Sequence, residues 1–349
     1  MKILCGMLLA ILISGTTCIG QTPTQDSKAT PVAGKIGEVL SWLPADTETL
    51  TVARGPFAMP RLTEEQQTKD RELTRAELTE DLQSLPLALF GFNHDILAKR
   101  LLDRQVTVAI EGARHFRSPA ALGEMPFEGC VIAIFADDVS GISASFIKES
   151  AKLSVREETI EGKNVTVFQE KLETDVWTTY VAFPSKNMVL AASNRDYIQE
   201  ILARMQGKSG KRALPDNLPE WKYVDLSAPI WAIRHFDQSQ QDVDPSSPFG
   251  GQKSANFPDE QAIGLVFRLD ANTGTSATIT HLSRNKGTLD LWKHGPRSME
   301  SEPAAKDWGT SYREVSTGVV EARYNLKRLE SADLFMFILM GELGHAVYL

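Results

Sequence analysis

The sequence predicts an α+β fold in which antiparallel β-meanders are covered by helices. Three observations carry that expectation. Residues 141–206 read as a helix, four short strands separated by turn residues, and a second helix. Strand-like alternation recurs outside that block, as at Gln105 to Glu111, where Val106, Val108 and Ile110 share one side; this period of two marks a half-buried strand. A 42% hydrophobic content is enough for an ordinary core, and 349 residues suit one large or two medium domains.

The chain begins with Met1-Lys2, an apolar run from Ile3 to Ile13, and the small or polar residues Ser14 to Gly20. That order is the basic, apolar and small-residue succession of a secretory signal peptide over residues 1–20. The apolar run is shorter than the roughly 20 residues a membrane-spanning helix needs. Cys18 and Gly20 are small enough for a signal peptidase cutting after Gly20. A lipid anchor on Cys18 is disfavoured, because Gly15-Thr16-Thr17 lacks the large aliphatic residue such a site usually carries. The expected location is therefore exported, periplasmic or extracellular. Residues 21–33, rich in Thr, Gln, Pro and Ser without periodicity, read as a disordered linker.

The first α+β unit is expected over residues 34–213. Ile36, Val39, Leu40 and Leu43 mark one face of a short helix that Pro44 stops, and Thr47 to Ala53 alternates as a strand. Thr63-Glu64-Glu65-Gln66 and Thr74-Arg75-Ala76-Glu77 fit the capping box, in which hydroxyl and carboxylate or amide satisfy orphan N–H groups at a helix start. Cys130 to Ala136 is apolar on both faces and reads as a central strand; Asp137-Asp138 after it reads as a turn device. A helix carrying Ile142, Phe146 and Ile147 leads to strands at about 153–159, 164–170, 175–183 and 187–192. Glu161-Gly162-Lys163 and Pro184 to Asn187 supply two of the turns. Ser193 or Asn194 then caps a helix with Tyr197, Ile198, Ile201, Leu202 and Met205 on one face, ending at Gly207.

A second α+β unit is expected over residues 214–349, continuous with the first or separate from it. A faint internal echo hints at two related halves. Leu43-Pro44 precedes Val52-Ala53-Arg54, as Leu218-Pro219 precedes Ala232-Ile233-Arg234. Strands at 261–269 and 276–283 would answer those at 105–111 and 130–136, and a strand pair near 311–326 and a helix from Ser331 would complete the unit. Gln238 to Asp259 is polar, Pro-bearing and aperiodic, and reads as a mobile surface loop. Leu334 to Met340 is apolar all round, which suits a helix docked in the core; membrane association through it is the minor alternative.

The chemistry is mostly exclusion. A net charge of −8 argues against a nucleic-acid binder, and Lys208 to Arg212 reads as a helix-end device. Cys5 and Cys18 fall in the export segment, so Cys130 stands alone in the mature chain and reads as a small buried hydrophobe. The six histidines are scattered, without ligand spacing. Asp242, Asp244 and Ser246 imitate the opening of a calcium loop, but Ser247 and Lys253 replace its glycine and its closing glutamate. No catalytic, cofactor or metal residue is assigned, and no cofactor is expected.

One constellation suggests an enzyme. Ser145-Phe146-Ile147-Lys148, Ser185-Lys186-Asn187 and Lys208-Ser209-Gly210 follow the motif order of penicillin-binding proteins and serine β-lactamases. Ser145 would be the nucleophile and Lys148 its activator. Its context is wrong: Lys208 follows a helix and is not strand-borne, and Ser185 sits in a hairpin turn.

Leu43-Pro44-Ala45-Asp46-Thr47 with its following strand resembles the opening of secreted bacterial proteins known only as domains of unknown function. The Glu161-Gly162-Lys163 hairpin and the strands from Trp177 to Ala192 are similar in style to their meanders. The resemblance implies an exported bacterial α+β protein and carries over no site residue. The expected function is a non-enzymatic binding or structural protein of the cell envelope, with a protein or other envelope component as partner. The alternative is a serine acyl-transferase or hydrolase using Ser145 and Lys148.

Overall fold

The hairpin at Glu161-Gly162 shows how local chemistry starts this fold. Both residues have positive φ, 51° and 69°, which is the type I′ geometry that matches the twist of two antiparallel strands. The computed structural model describes residues 34–58, 101, 104–115, 127–142, 153–171, 176–208, 210–235, 262–269, 276–284 and 311–325. Its strands are β1 (Thr49–Ala58), β2 (Gln105–His115), β3 (Phe127–Phe135), β4 (Leu153–Ile160), β5 (Lys163–Lys171), β6 (Val176–Ser185), β7 (Met188–Ala192), β8 (Ile230–His235), β9 (Ala262–Leu269), β10 (Ser276–Ser283), β11 (Ser311–Ser316) and β12 (Val319–Asn325). The helices are α1 (Gly34–Trp42) and α2 (Arg195–Met205), with a 3-10 turn at Pro219–Tyr223.

All twelve strands belong to one antiparallel sheet, in the order β11-β12-β10-β9-β8-β1-β2-β3-β7-β6-β5-β4. This overturns the expectation of an α+β fold with helix-covered meanders. Among the described residues the protein is predominantly β, with two short helices. The physical reason lies in the joints. Each meander is a local object that alternation and turn residues specify, whereas β1–β8, β3–β7 and β10–β12 pair strands far apart in sequence. Those pairings merge the meanders into one sheet. The helix starts expected at Thr63 and Thr74, the helix carrying Phe146 and Ile147, and the helix from Ser331 lie outside the described residues.

Both faces of the central strands are buried, as the two-sided apolar run at Cys130 requires. On one face α1 and α2 cover a core that includes Val39, Leu40, Leu50, Val52, Ile110, Cys130, Ile132, Leu190, Tyr197 and Ile201, and that reaches the second half at Trp231, Ile233 and Val266. The opposite face gathers Ala53, Ala109, Val131, Ala133, Phe135, Phe168 and Val189. Each fully buried large side chain contributes about 1.5–3 kcal/mol. Asn194 caps α2 by accepting hydrogen bonds from the backbone N–H of Asp196 (2.8 Å) and Tyr197 (3.3 Å), satisfying two of its orphan donors.

The order of connections occurs twice. A helical segment ending at Trp42 leads through residues 43–48 into β1, and one ending at Tyr223 leads through 224–229 into β8. The meander β1-β2-β3 is answered by β8-β9-β10. Then β7 lies against β3 with β6 outside it, as β12 lies against β10 with β11 outside it. The two outer hairpins carry register shifts at matching places, between Ala182 and Ser185 and between Glu314 and Ser316. They are tied to the neighbouring strand by matching bonds, Phe135 N to Asn187 O and Ser283 N to Gly318 O, both 2.8 Å. Where β1 meets β8, Arg54 N donates to Pro229 O (2.7 Å) and His235 N donates to Glu48 O (2.9 Å). β4 and β5 have no counterpart among the described residues.

Candidate functional site

The registers give residues of one half counterparts at the same stations of the other. On the helix-covered face of the first half, Gly112, Cys130, Ala192 and Tyr180 form one cross-strand row, and Ile110, Ile132, Leu190 and Ala182 the next. At the same stations of the second half stand Arg268, Thr278, Arg323 and Ser311, and then Val266, Thr280, Glu321 and Arg313. Stations that are mostly apolar in the first half are thus mostly polar in the second. Glu321 anchors this polar strip: its Oε2 lies 2.6 Å from Arg313 Nη2 and its Oε1 3.8 Å from Arg268 Nη2. Arg323 Nη2 donates to Ser276 Oγ at 3.3 Å. Beside Arg268, the Asp225 carboxyl is held below its usual range, first by the Ser227 hydroxyl and backbone and further by the Arg268 charge. The Arg268 side chain is 38% exposed and that of Arg313 is 72% exposed.

At the head of the strip a carboxylate is buried against an imidazole. Glu220, in the 3-10 turn, is fully buried; its Oε1 is 2.7 Å from Nδ1 of His235, whose side chain is 31% exposed. A Cβ on Gly264 would collide with Glu220 Oε1 and with the backbone O of Arg234, so glycine makes the room. In the first half the corresponding stations hold Val39 and Val108. Glu220 Oε2 has no hydrogen-bond partner among the described residues, an uncommon and costly state for a buried carboxylate oxygen. Trp221 follows; its Nε1 donates to the carbonyls of Leu214 (3.2 Å) and Pro215 (3.0 Å), and its ring meets Trp231 edge-on at 6.1 Å.

The first half also holds a buried charge network. Arg114 donates through Nε to Glu128 Oε2 (2.7 Å) and through Nη1 to Asp46 Oδ1 (3.0 Å). It stacks 4.8 Å over the Tyr197 ring, and Tyr197 in turn shares a 3.1 Å hydrogen bond with Thr47. This network rivets the loop before β1, the strands β2 and β3, and α2.

The serine-enzyme motifs do not converge among the described residues. Ser145 and Lys148 lie outside them, as do Cys18, Ser209 and the 238–259 loop with Asp242, Asp244, Ser246, Ser247 and Lys253. Ser185 Oγ donates to Asn187 Oδ1 (3.2 Å), while Lys208 Nζ donates to Glu161 Oε2 (2.6 Å) at the β4–β5 turn. Asp138 accepts from the backbone N–H (2.9 Å) and hydroxyl (2.7 Å) of Ser140 and so shapes the turn after β3. Cys130 is buried in β3, and burial pushes its thiol far above the ordinary range. No three His, Cys, Asp or Glu side chains come together to hold a metal ion among the described residues.

Sequence reasoning missed the polar strip and the Glu220–His235 pair. The signal was present: Thr278 and Thr280 alternate with Ala277, Ile279 and His281, but alternation alone does not say which side a helix will cover. No family model, curated protein or solved structure matches this chain.

Proposed function

We propose that the protein is an exported, non-enzymatic binding protein of the cell envelope, built from two copies of one β unit. The first unit is the scaffold and the second presents the ligand-facing surface. One observation carries the reading: at equivalent stations the first unit buries Cys130, Ile132, Leu190 and Ala192 under helices, whereas the second sets Thr278, Thr280, Glu321 and Arg323. Polar replacements at core stations weaken a fold unless they serve another purpose.

Arginine footprinting with phenylglyoxal tests this without knowing the ligand. Arg268, Arg313 and Arg323 should be protected when the chain sits in the intact envelope and reactive in the purified protein. Arg156 and Arg195, exposed on the first unit, should react equally in both. Equal protection of both sets, or protection of neither, would refute the reading. Mass spectrometry of the same exported chain should find Gln21 at its N-terminus; a retained leader or a lipid on Cys18 would refute the export route.

A further inference from the structure

We infer that β1 is a self-complementary edge which, when β8 leaves it, takes the β1 of a second copy of this chain in one fixed register. The symmetry of the seam carries this. The matching bonds of the outer hairpins equate Phe135 with Ser283 and Asn187 with Gly318. The registers carry that correspondence inward, so that Cys130 answers Thr278, Gly112 answers Arg268 and Leu50 answers Trp231. Thr51 then answers Ala232, and these two residues are paired with each other. Leu50 faces Ile233, the counterpart of Val52, and Val52 faces Trp231, the counterpart of Leu50. The two seam bonds exchange in the same way, since Arg54 answers His235 and Glu48 answers Pro229. β1 and β8 therefore meet about a local two-fold axis through Thr51 and Ala232, the isologous geometry of a symmetric dimer held within one chain.

Because the two strands are counterparts, the backbone path that β8 follows is one that β1 can follow. A second β1 in that place sets Leu50 opposite Val52, Thr49 opposite Ala53 and Thr51 opposite Thr51, and Arg54 N reaches Glu48 O on both sides. Residues 50 and 52 share one face of the sheet and 49, 51 and 53 the other, so no side chain changes face. Aliphatic and Thr–Thr pairs are favourable across antiparallel strands. From Thr49 to Ala53 β1 carries no charge and is buried throughout. A β8 pair would be poorer, because it sets Arg234 opposite Ile230. Within one chain β8 outcompetes any second copy, since tethering gives it a roughly millimolar effective concentration. Displacing β8 is what opens the edge to the partner.

Cysteine cross-linking in the full chain, mapped by mass spectrometry, tests the inference. Glu48–His235 and Arg54–Pro229 are bonded pairs, so the alternation of an antiparallel ladder makes Leu50–Ile233 bonded and Thr51–Ala232 non-bonded. Residues at a non-bonded pair are close enough for a disulfide. Ile233→Pro removes a seam donor and weakens β8. T51C/I233P should therefore form a 51–51 disulfide between chains, about tenfold or more above T51C alone. T49C/I233P and A53C/I233P should not link to themselves but should link to each other when mixed, because 49 faces 53. Buried Cys130 remaining inert to iodoacetamide verifies that the first half is folded. Ile233→Ala, a milder trim, should give the same bond in lower yield, and it decides the matter if Ile233→Pro exposes Cys130. Equal linking at 49, 51 and 53, no 51–51 bond while Cys130 stays protected, or the same yield with Ile233 intact would each overturn the inference.

Discussion

The first half of this sheet buries an arginine among carboxylates, and the second sets arginines where they reach the surface. Arg114 is 6% exposed and engages Asp46 and Glu128, whereas Arg313 is 72% exposed and reaches back to a single glutamate. Two segments with the same strand connections thus place these arginines differently. The backbone plan tolerates either solution, because cross-strand hydrogen bonds do not depend on which side chains stand on the face. Among the described residues, α1 and α2 lie over the first half and demand apolar stations beneath them.

Exchanging one station should break the comparison hardest. Leu190 is fully buried between β3 and β6, so Leu190→Glu would bury a lone carboxylate and should cost more than about 4 kcal/mol in urea unfolding. The reciprocal Glu321→Leu should be tolerated far better; equal losses would show that the two faces are equally buried. Next comes Arg114→Met, which strands Asp46 and Glu128 in the first half. A loss of about 3–5 kcal/mol is expected, and a loss below 1 kcal/mol, the range of exposed pairs, would mean the network is solvated.

Acid sharpens the comparison on the opposite face, where His281 occupies the station of Ala133. Burial lowers the imidazole to about 3 from an ordinary 6.5. The unfolded chain therefore binds a proton that the native state refuses. His281 contributes no penalty above pH 6.5, and stability falls from there down to about pH 3, at up to about 1.4 kcal/mol per pH unit. His281→Ala should flatten the stability profile over that window; an unchanged slope would show that the ring titrates normally. Smaller again is Gly264→Ala, expected to cost about 1–3 kcal/mol through overpacking against Glu220 and the Arg234 carbonyl. Adding Glu220→Ala should restore part of that loss, and no recovery would assign the whole cost to the backbone contact.

Much of this architecture is legible in the residues. The Glu161-Gly162 turn, the capped helix after Asn194, the two-sided strand through Cys130 and the alternation in 276–283 all act over a few neighbours, so sequence alone reveals them. The α+β class is not borne out, because strand-to-strand joints such as Thr49 with Arg234 depend on distant partners and leave no local mark. The site was less legible still. Glu220 and His235 are fifteen positions apart in the chain and show no ligand spacing. Arg268, Thr278 and Arg323 become neighbours only once β9, β10 and β12 are in register.

The seam between β1 and β8 also bears on the order of folding. β1 pairs β2 within the first half, but its other edge waits for residues 230–234, which leave the ribosome long after it does. Until then the first half carries an open, alternating strand edge, the kind of surface that recruits other chains. Pairing so distant in sequence is slow to close. β8 therefore acts as a late plug, and variants that weaken β8 should show themselves first as aggregation during synthesis, before any loss of stability in the finished protein.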